Sequence, residues 1–230
     1  MNKKLRNSAI KLILFTLALG IISPAVYANE DTYQVQTIST ISTTTDVAEV
    51  FNDVSTADWF YEDVANVYSL GLIMGVTADT FEPNTVATRA QLATIVHRMS
   101  NDPTVAPKTA FTDVPEDEWY TASVNWVTDA NIFSGFEDGT FRPNELVTRE
   151  QLIVVLYNLA QFQGIPIENL GRISTFSDSI DISAWSAYAM QWGIGNGIIG
   201  GKEDNMLDPK GGATRAEISA TITRYSNLED

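Results

Sequence analysis

Leu92, Ile95, Val96 and Met99 fall at i, i+3, i+4 and i+7, and Leu152, Val155, Leu156 and Leu159 repeat that spacing. Ile218, Thr221, Ile222 and Tyr225 hold the same offsets a third time. This pattern predicts three helices, each with one apolar face. A second helical pattern precedes each of them. Phe60, Val64, Val67 and Tyr68 lie on one face, Tyr120, Val124 and Val127 match them, and Met190 and Trp192 supply most of the bulk in a weaker third version. Between the two helices of each pair stand glycines: Gly71 and Gly75, then Gly135, then Gly197 and Gly201. They read as helix stops and tight turns in which φ above zero is expected. Asn131 takes the place of the first such glycine in the second copy.

The copies are in register. Trp59, Trp119 and Trp185 each stand thirty residues before an arginine, Arg89, Arg149 and Arg215. Each copy opens on an aromatic followed by a short polar residue and an aspartate: Phe51-Asn52-Asp53-Val54, Phe111-Thr112-Asp113-Val114 and Phe176-Ser177-Asp178-Ser179. An interval held three times marks three copies of one unit. The units are helix, glycine-rich loop, helix, over residues 51–101, 111–163 and 176–226, so the fold class is mainly α. Pro103 and Pro107 separate the first two, and Gly164 and Pro166 begin the longer connection to the third.

Composition narrows the chemistry. The net charge is −15, and the four basic residues Lys3, Lys4, Arg6 and Lys11 leave the remainder of the chain more acidic still. Such a surface disfavours nucleic acid and offers no general attraction to anionic membranes. Any anionic ligand must be held by a few locally placed cations. There is no cysteine, which removes disulfides, thiol nucleophiles and cysteine-based metal sites, and His97 is the only histidine. Residues 1–28 read as a signal peptide: a basic start, an apolar run over 12–22 too short to span a membrane, and Val26-Tyr27-Ala28 for cleavage. Export follows, with no membrane span after cleavage. Residues 29–50 are rich in serine and threonine and read as an extended leader.

Thr88-x-x-Gln91, Thr148-x-x-Gln151 and Thr214-x-x-Glu217 are capping boxes, a structural role sufficient to explain the threonine and the Gln or Glu. Capping does not require the arginine between them, and the helix dipole mildly disfavours a cation there. Its partner is either an internal carboxylate of the Asp53, Asp113, Asp178 set, or an anionic ligand gripped by the guanidinium and the N–H groups of the helix start. The three aspartates themselves read as N-caps or arginine partners. Trp59, Trp119 and Trp185 fit either a buried core role, the commoner one, or platforms for stacking a sugar. Gly75, Gly135 and Gly201 serve the turn. The loop Gly135-Phe136-Glu137-Asp138-Gly139-Thr140-Phe141-Arg142-Pro143-Asn144 is acidic, but it lacks the ligand alternation and closing glutamate of a calcium loop. No carboxylate pair stands out for hydrolysis, and neither a metal nor a cofactor is called for.

Together Phe-x-Asp-Val, the Trp-led helix, Gly-Phe-x-Asp-Gly-Thr-Phe-x-Pro and Thr-Arg-Ala-Glu resemble S-layer homology domains in a tandem set of three. The resemblance implies a three-pronged spindle in which the repeats share a central helical bundle with pseudo-threefold symmetry. It also implies grooves between repeats that bind secondary cell-wall polymers, often with a pyruvylated terminal sugar, and so fasten surface proteins non-covalently to Gram-positive peptidoglycan; with no carboxylate pair singled out, the chain reads as a binding protein and not an enzyme. Within it, Arg89, Arg149 and Arg215 match the arginine the family uses on the acidic sugar, and Gly75, Gly135 and Gly201 match a glycine at the groove. An assembly role among S-layer or other surface proteins is the alternative. The third copy departs most, with Ser179 for valine, an extra residue before Trp185, Leu207 for phenylalanine and Gly211-Gly212 before Thr214. The grooves involving Arg89 and Arg149 are therefore expected to function before the one at Arg215.

Overall fold

Each long helix starts at a threonine whose side chain and backbone are both used. The computed structural model describes residues 46–104 and 111–228, so the signal peptide and nearly all of the leader lie outside the described residues. Within them, α1 is Val47–Val50, α2 Tyr61–Ser69, α3 Arg89–Met99, α4 Thr121–Asp129, α5 Arg149–Gln163, α6 Ala187–Gly195 and α7 Arg215–Ser226. Short 3-10 turns occur in the third repeat at Ile173–Thr175, Ser179–Asp181 and Glu203–Asn205. Thr88, Thr148 and Thr214 each form a complete capping box with the residue three positions on. The short helices end at left-handed residues: Gly71 (φ 69°), Asn131 (φ 56°) and Gly197 (φ 68°). Asparagine suits that position because its short polar side chain tolerates the left-handed region better than other non-glycine residues do.

The helices that pack on each other belong to different repeats. The long helix α3 lies against α4, α5 against α6, and α7 returns to α2. Each repeat therefore buries its long helix against the short helix of the next, and the third closes on the first. The apolar faces predicted from spacing supply the contact. Leu92, Ile95 and Val96 are buried, as are Leu152, Val155, Leu156 and Leu159 in the second long helix and Ile218, Ile222 and Tyr225 in the third.

A ring of backbone hydrogen bonds closes the same circuit. Ala87 N–H donates to the Ala213 carbonyl (3.1 Å), Ala213 N–H to Val147 (2.8 Å), and Val147 N–H to Ala87 (2.9 Å). These residues precede the three capping threonines, are buried, and so must satisfy both backbone groups within the protein. Isolated antiparallel bridges flank them, joining Val86 to Thr214, Thr88 to Leu146 and Thr148 to Gly212. Gly212 departs from the other copies for a steric reason: a Cβ there would lie 2.7 Å from the Val86 side chain.

The first two N–H groups of each long helix, which no helical turn can satisfy, also cross between repeats. Arg89 and Ala90 donate to Glu145 and Pro143, Arg149 and Glu150 to Gly211 and Pro209, and Arg215 and Ala216 to Thr85 and Pro83, all at 2.9–3.0 Å. The junction from the second repeat to the third has one further bond set. Glu150 stands where the other copies have Ala90 and Ala216, and it is 2% exposed. Its carboxylate accepts from Ser183 N–H (3.0 Å), Ser183 Oγ (3.0 Å), Ser186 Oγ (2.7 Å) and Lys210 Nζ (2.5 Å). The extra residue before Trp185 falls in the segment this carboxylate grips.

Burial pushes the Glu150 carboxyl up, but Lys210, the Ser183 N–H and the serine hydroxyls outweigh it and hold it below the usual carboxylate range. A carboxylate held low stabilises the fold above its unfolded pKa and loses that contribution as pH falls through the folded one. Glu150→Gln is expected to cost about 1–3 kcal/mol at pH 7. The gap between wild type and variant in urea unfolding is expected to narrow below about pH 4.

Candidate ligand grooves

The loop between the two helices of a repeat is fixed by its glycine and its aspartate. Gly75, Gly135 and Gly201 are not in the left-handed region, so it is close approach and not φ that requires them. The backbone of the turn and the aromatic that opens each repeat both close on the Cα: a Cβ at Gly75 would lie 2.4 Å from the Thr77 carbonyl oxygen, and one at Gly135 2.6 Å from that of Thr140. A Cβ would stand 2.6 Å from the Phe51 ring at Gly75, 2.2 Å from Phe111 at Gly135 and 2.9 Å from Phe176 at Gly201. Asp53, Asp113 and Asp178 make no side-chain cap bond to a helix and no ion pair with an arginine among the described residues, but the charge of each favours the protonated form of the arginine that reaches its loop, Asp53 for Arg215, Asp113 for Arg89 and Asp178 for Arg149. Each carboxylate accepts two consecutive backbone N–H groups across its own repeat: Phe81 and Glu82, Phe141 and Arg142, Leu207 and Asp208, at 2.6–2.8 Å. Glu82, Arg142 and Asp208 have φ between 53° and 57°, a conformation costing a non-glycine residue roughly 1–2 kcal/mol. The aspartate clamp offsets that strain where it arises.

The arginines then pin this loop from the preceding repeat. Arg89 Nε donates to the Phe141 carbonyl (2.7 Å) and Nη2 to Ser134 (2.9 Å). Arg149 reaches Leu207 (2.8 Å) and Gly200 (3.1 Å), and Arg215 reaches Phe81 (2.7 Å) and Met74 (2.6 Å). Their exposures are 2%, 6% and 6%. The guanidinium thus hydrogen-bonds a pair of carbonyls, while the aspartate set acts on it through charge without direct contact. The helix-start N–H groups are not available to a ligand either, since the neighbouring repeat uses them. Burial lowers the Arg89 guanidinium to about 10, and lowers Arg149 and Arg215 as well, leaving all three protonated at neutral pH. Phe133, Phe136 and Phe141 surround the Arg89 guanidinium, 4.2, 4.8 and 4.6 Å from their ring centres.

Beside two of these arginines lie grooves. One of about 280 Å³ joins Arg89 of the first repeat, Gly135, Phe136 and Gln151 of the second, and Trp185 of the third. The other, of about 290 Å³, joins Arg149 of the second repeat, Gly201, Lys202, Glu217 and Arg224 of the third, and Trp59 of the first. Both of these grooves therefore draw on all three repeats. The thirty-residue interval between a tryptophan and its arginine marks the repeat but not the site, since Trp59 meets Arg149 and Trp185 meets Arg89. At the third junction Arg215 grips the Met74 carbonyl, and Trp119 is exposed.

The tryptophans overturn the core reading. Trp59, Trp119 and Trp185 are 65%, 62% and 59% exposed, while the residue after each, Phe60, Tyr120 and Ser186, is buried. Trp59 and Trp119 stand edge-on to that neighbour, with ring centres 5.4 and 5.2 Å apart. The groove residues missed in the sequence were Lys202, Arg224 and the groove role of Gln151 and Glu217. A signal for the last two exists: Gln151, Val154, Val155 and Asn158 line one groove, Glu217, Ala220, Thr221 and Arg224 the other, at identical helical offsets. In the acidic loop, Thr140 and Arg142 hold the Asp138 carboxyl down at about 2, so a cation site there is already served from within. No group of three metal-type side chains gathers among the described residues.

A family model described as "S-layer homology domain" matches residues 50–93, 110–153 and 175–218, more than half of the chain. An amylopullulanase of Thermoanaerobacterium thermosulfurigenes is 32% identical over 79% of this chain and 10% of its own length. A surface-layer 125 kDa protein of Lysinibacillus sphaericus is 27% identical over 76% of this chain and 14% of its length. A cellulosome-anchoring protein of Acetivibrio thermocellus is 29% identical over 66% of this chain and 34% of its length. The chain thus spans between 10% and 34% of the length of these curated relatives.

Because each arginine bonds two loop carbonyls, its loss is a folding defect before it is a binding defect. Arg89→Ala is expected to cost about 2–4 kcal/mol in thermal or urea unfolding.

Proposed function

The chain belongs to the S-layer homology domain family, and on that footing we propose that it binds an anionic cell-wall polymer and so is held non-covalently at the surface of a Gram-positive-type bacterium. The observation that carries the reading is the convergence in one groove of a buried arginine, a loop brought close by its glycine, and an exposed tryptophan. An exposed indole beside a buried cation suits a sugar bearing an acid: the ring packs on the apolar face of the pyranose while the guanidinium faces the carboxylate. A pyruvate ketal on the terminal sugar of a secondary cell-wall polymer has that chemistry. Two of the relatives are a cellulosome-anchoring protein and a surface-layer protein, which supports attachment as the shared task. The enzymes among the relatives match this chain over a small part of their length, which supports binding rather than catalysis here. Export through the signal peptide read at residues 1–28 completes the proposal.

The positive groove sits in a chain of net charge −15. Binding to purified wall polymer is therefore expected to weaken as salt rises and on chemical removal of the ketal. The double change Trp59→Ala and Trp185→Ala is the cleaner probe than any arginine change, because these side chains are exposed. It is expected to weaken polymer binding about tenfold or more while leaving the unfolding midpoint nearly unchanged. Equal binding to polymer-bearing and polymer-stripped peptidoglycan would instead favour contact with other surface proteins.

A further inference from the structure

The Arg89 and Arg149 grooves are built in one register, so their walls compare position by position, and they differ in whole character. The residue after the groove glycine is Phe136 in one and Lys202 in the other. On the long helix, Val154, Val155 and Asn158 give way to Ala220, Thr221 and Arg224. The Arg89 groove therefore sets a single cation against an apolar wall, with no other charged side chain lining it among the described residues. The Arg149 groove is lined by Arg149, Lys202 and Arg224 together, against Glu217 as the carboxylate in the lining.

The carboxylates gather these cations without cancelling them. Glu217 Oε2 accepts the Thr214 N–H (3.0 Å), and its other oxygen lies 3.2 Å from Arg149 Nη1 and 2.9 Å from Lys202 Nζ. Asp208, outside the lining, takes a share of Lys202 at 2.9 Å. Arg224 is exposed and pairs with no carboxylate among the described residues. Its counterpart Asn158 is instead spent on the Ile132 carbonyl (3.0 Å). Burial lowers the Arg149 guanidinium, and the Arg224 charge adds to that while Glu217 works against both. Two guanidiniums thus sense each other across one groove, and like charges so placed repel. An anion between them that carries more than one charge relieves the repulsion.

We propose, resting on the wall-polymer reading above, that the two grooves take different acid groups and that the Arg149 groove takes a phosphoryl group carried on a sugar. A phosphoryl group offers oxygens in several directions and, as a monoester, more than one negative charge at neutral pH. Lys202 and Arg224 reach it from two sides while Arg149 supplies charge from below, and a guanidinium fork matches its geometry. A ketal carboxylate is planar, carries one charge and brings a methyl group. The lone cation and the Phe136, Val154 and Val155 wall of the Arg89 groove suit that group, because the methyl gains from an apolar surface. Trp59 and Trp185 supply the same sugar platform to both grooves. Lys202 and Arg224 are then the residues that set the specificity.

The test reads each groove separately. Protein labelled with 5-fluorotryptophan reports on Trp59 and Trp185 by fluorine NMR, with the signals assigned through Trp59→Phe and Trp185→Phe. The probes are an N-acetylhexosamine methyl glycoside bearing a 6-phosphate and the same glycoside bearing a 4,6-pyruvate ketal. In wild type the phosphate probe is expected to shift Trp59 saturably, with a Kd at least about tenfold below that of the ketal probe at the same ring. The ketal probe is expected to favour Trp185. Installing the second repeat's residues, Lys202→Phe with Arg224→Asn, is expected to abolish the phosphate preference at Trp59 and leave the Trp185 titration unchanged. Thermal midpoints check folding, and Arg224→Asn alone, at an exposed side chain, is expected to weaken phosphate binding in the same direction. Equal Kd values for the two probes at Trp59 in wild type, or a preference that survives these exchanges in folded protein, would overturn the proposal. Sedimentation with polymer-bearing and polymer-stripped peptidoglycan separates the two readings. Selective sedimentation beside either of those results overturns this proposal alone, and no selective sedimentation overturns the wall-polymer reading with it.

Discussion

The first turn of an α-helix has backbone N–H groups that the helix cannot satisfy, and in this chain their partners lie in a different repeat. Thr88, Thr148 and Thr214 take one of these groups locally, and the carbonyls before the next long helix take two more. No repeat can complete its own helix start. The same dependence holds for the apolar faces, which pack α3 on α4, α5 on α6 and α7 on α2. Because the third repeat returns to the first, the arrangement has no free end among these contacts, and the ring through Ala87, Val147 and Ala213 marks where the circuit closes. The recurring threonine and its neighbours are thus one joint used three times.

The arginine belongs to that joint. Its two carbonyl bonds hold the neighbouring loop in place, while its charge, desolvated by the same packing, is the chemistry that the groove presents. The structural task alone explains a cation in a helix first turn where the dipole disfavours it, and the proposed function gives the same side chain a recognition task as well. The consequence is that stability and affinity are coupled at the arginines and separable at the tryptophans.

What was legible in the sequence follows from how far away the partner lies. The helices and their starts are local, and Leu92, Leu152 and Ile218 or Thr88 and Gln91 announce them through spacing alone. The partner of Asp53 is the backbone of residues 81 and 82, and no periodicity connects them. Gly75 reads as a turn residue, and the turn carbonyl of Thr77 does exclude a side chain there, but the distant Phe51 ring excludes it as well and no local pattern announces that. Trp59 fell next to the apolar stripe of α2 and read as core, but it stands outside that stripe and meets Arg149 of another repeat. Such pairings between repeats depend on the circular order of packing, which three similar copies do not encode in their individual patterns.

The claim on which these points rest is that the three junctions form one closed circuit. Native-state hydrogen exchange of the Ala87, Val147 and Ala213 amides, in wild type and in Arg89→Ala, tests it most directly. One circuit predicts that the three amides open with a common free energy near that of global unfolding, and that the substitution lowers all three together. Faster exchange at Val147 or its immediate neighbours alone, with Ala213 and Ala87 unchanged, would show three independent junctions and contradict the account.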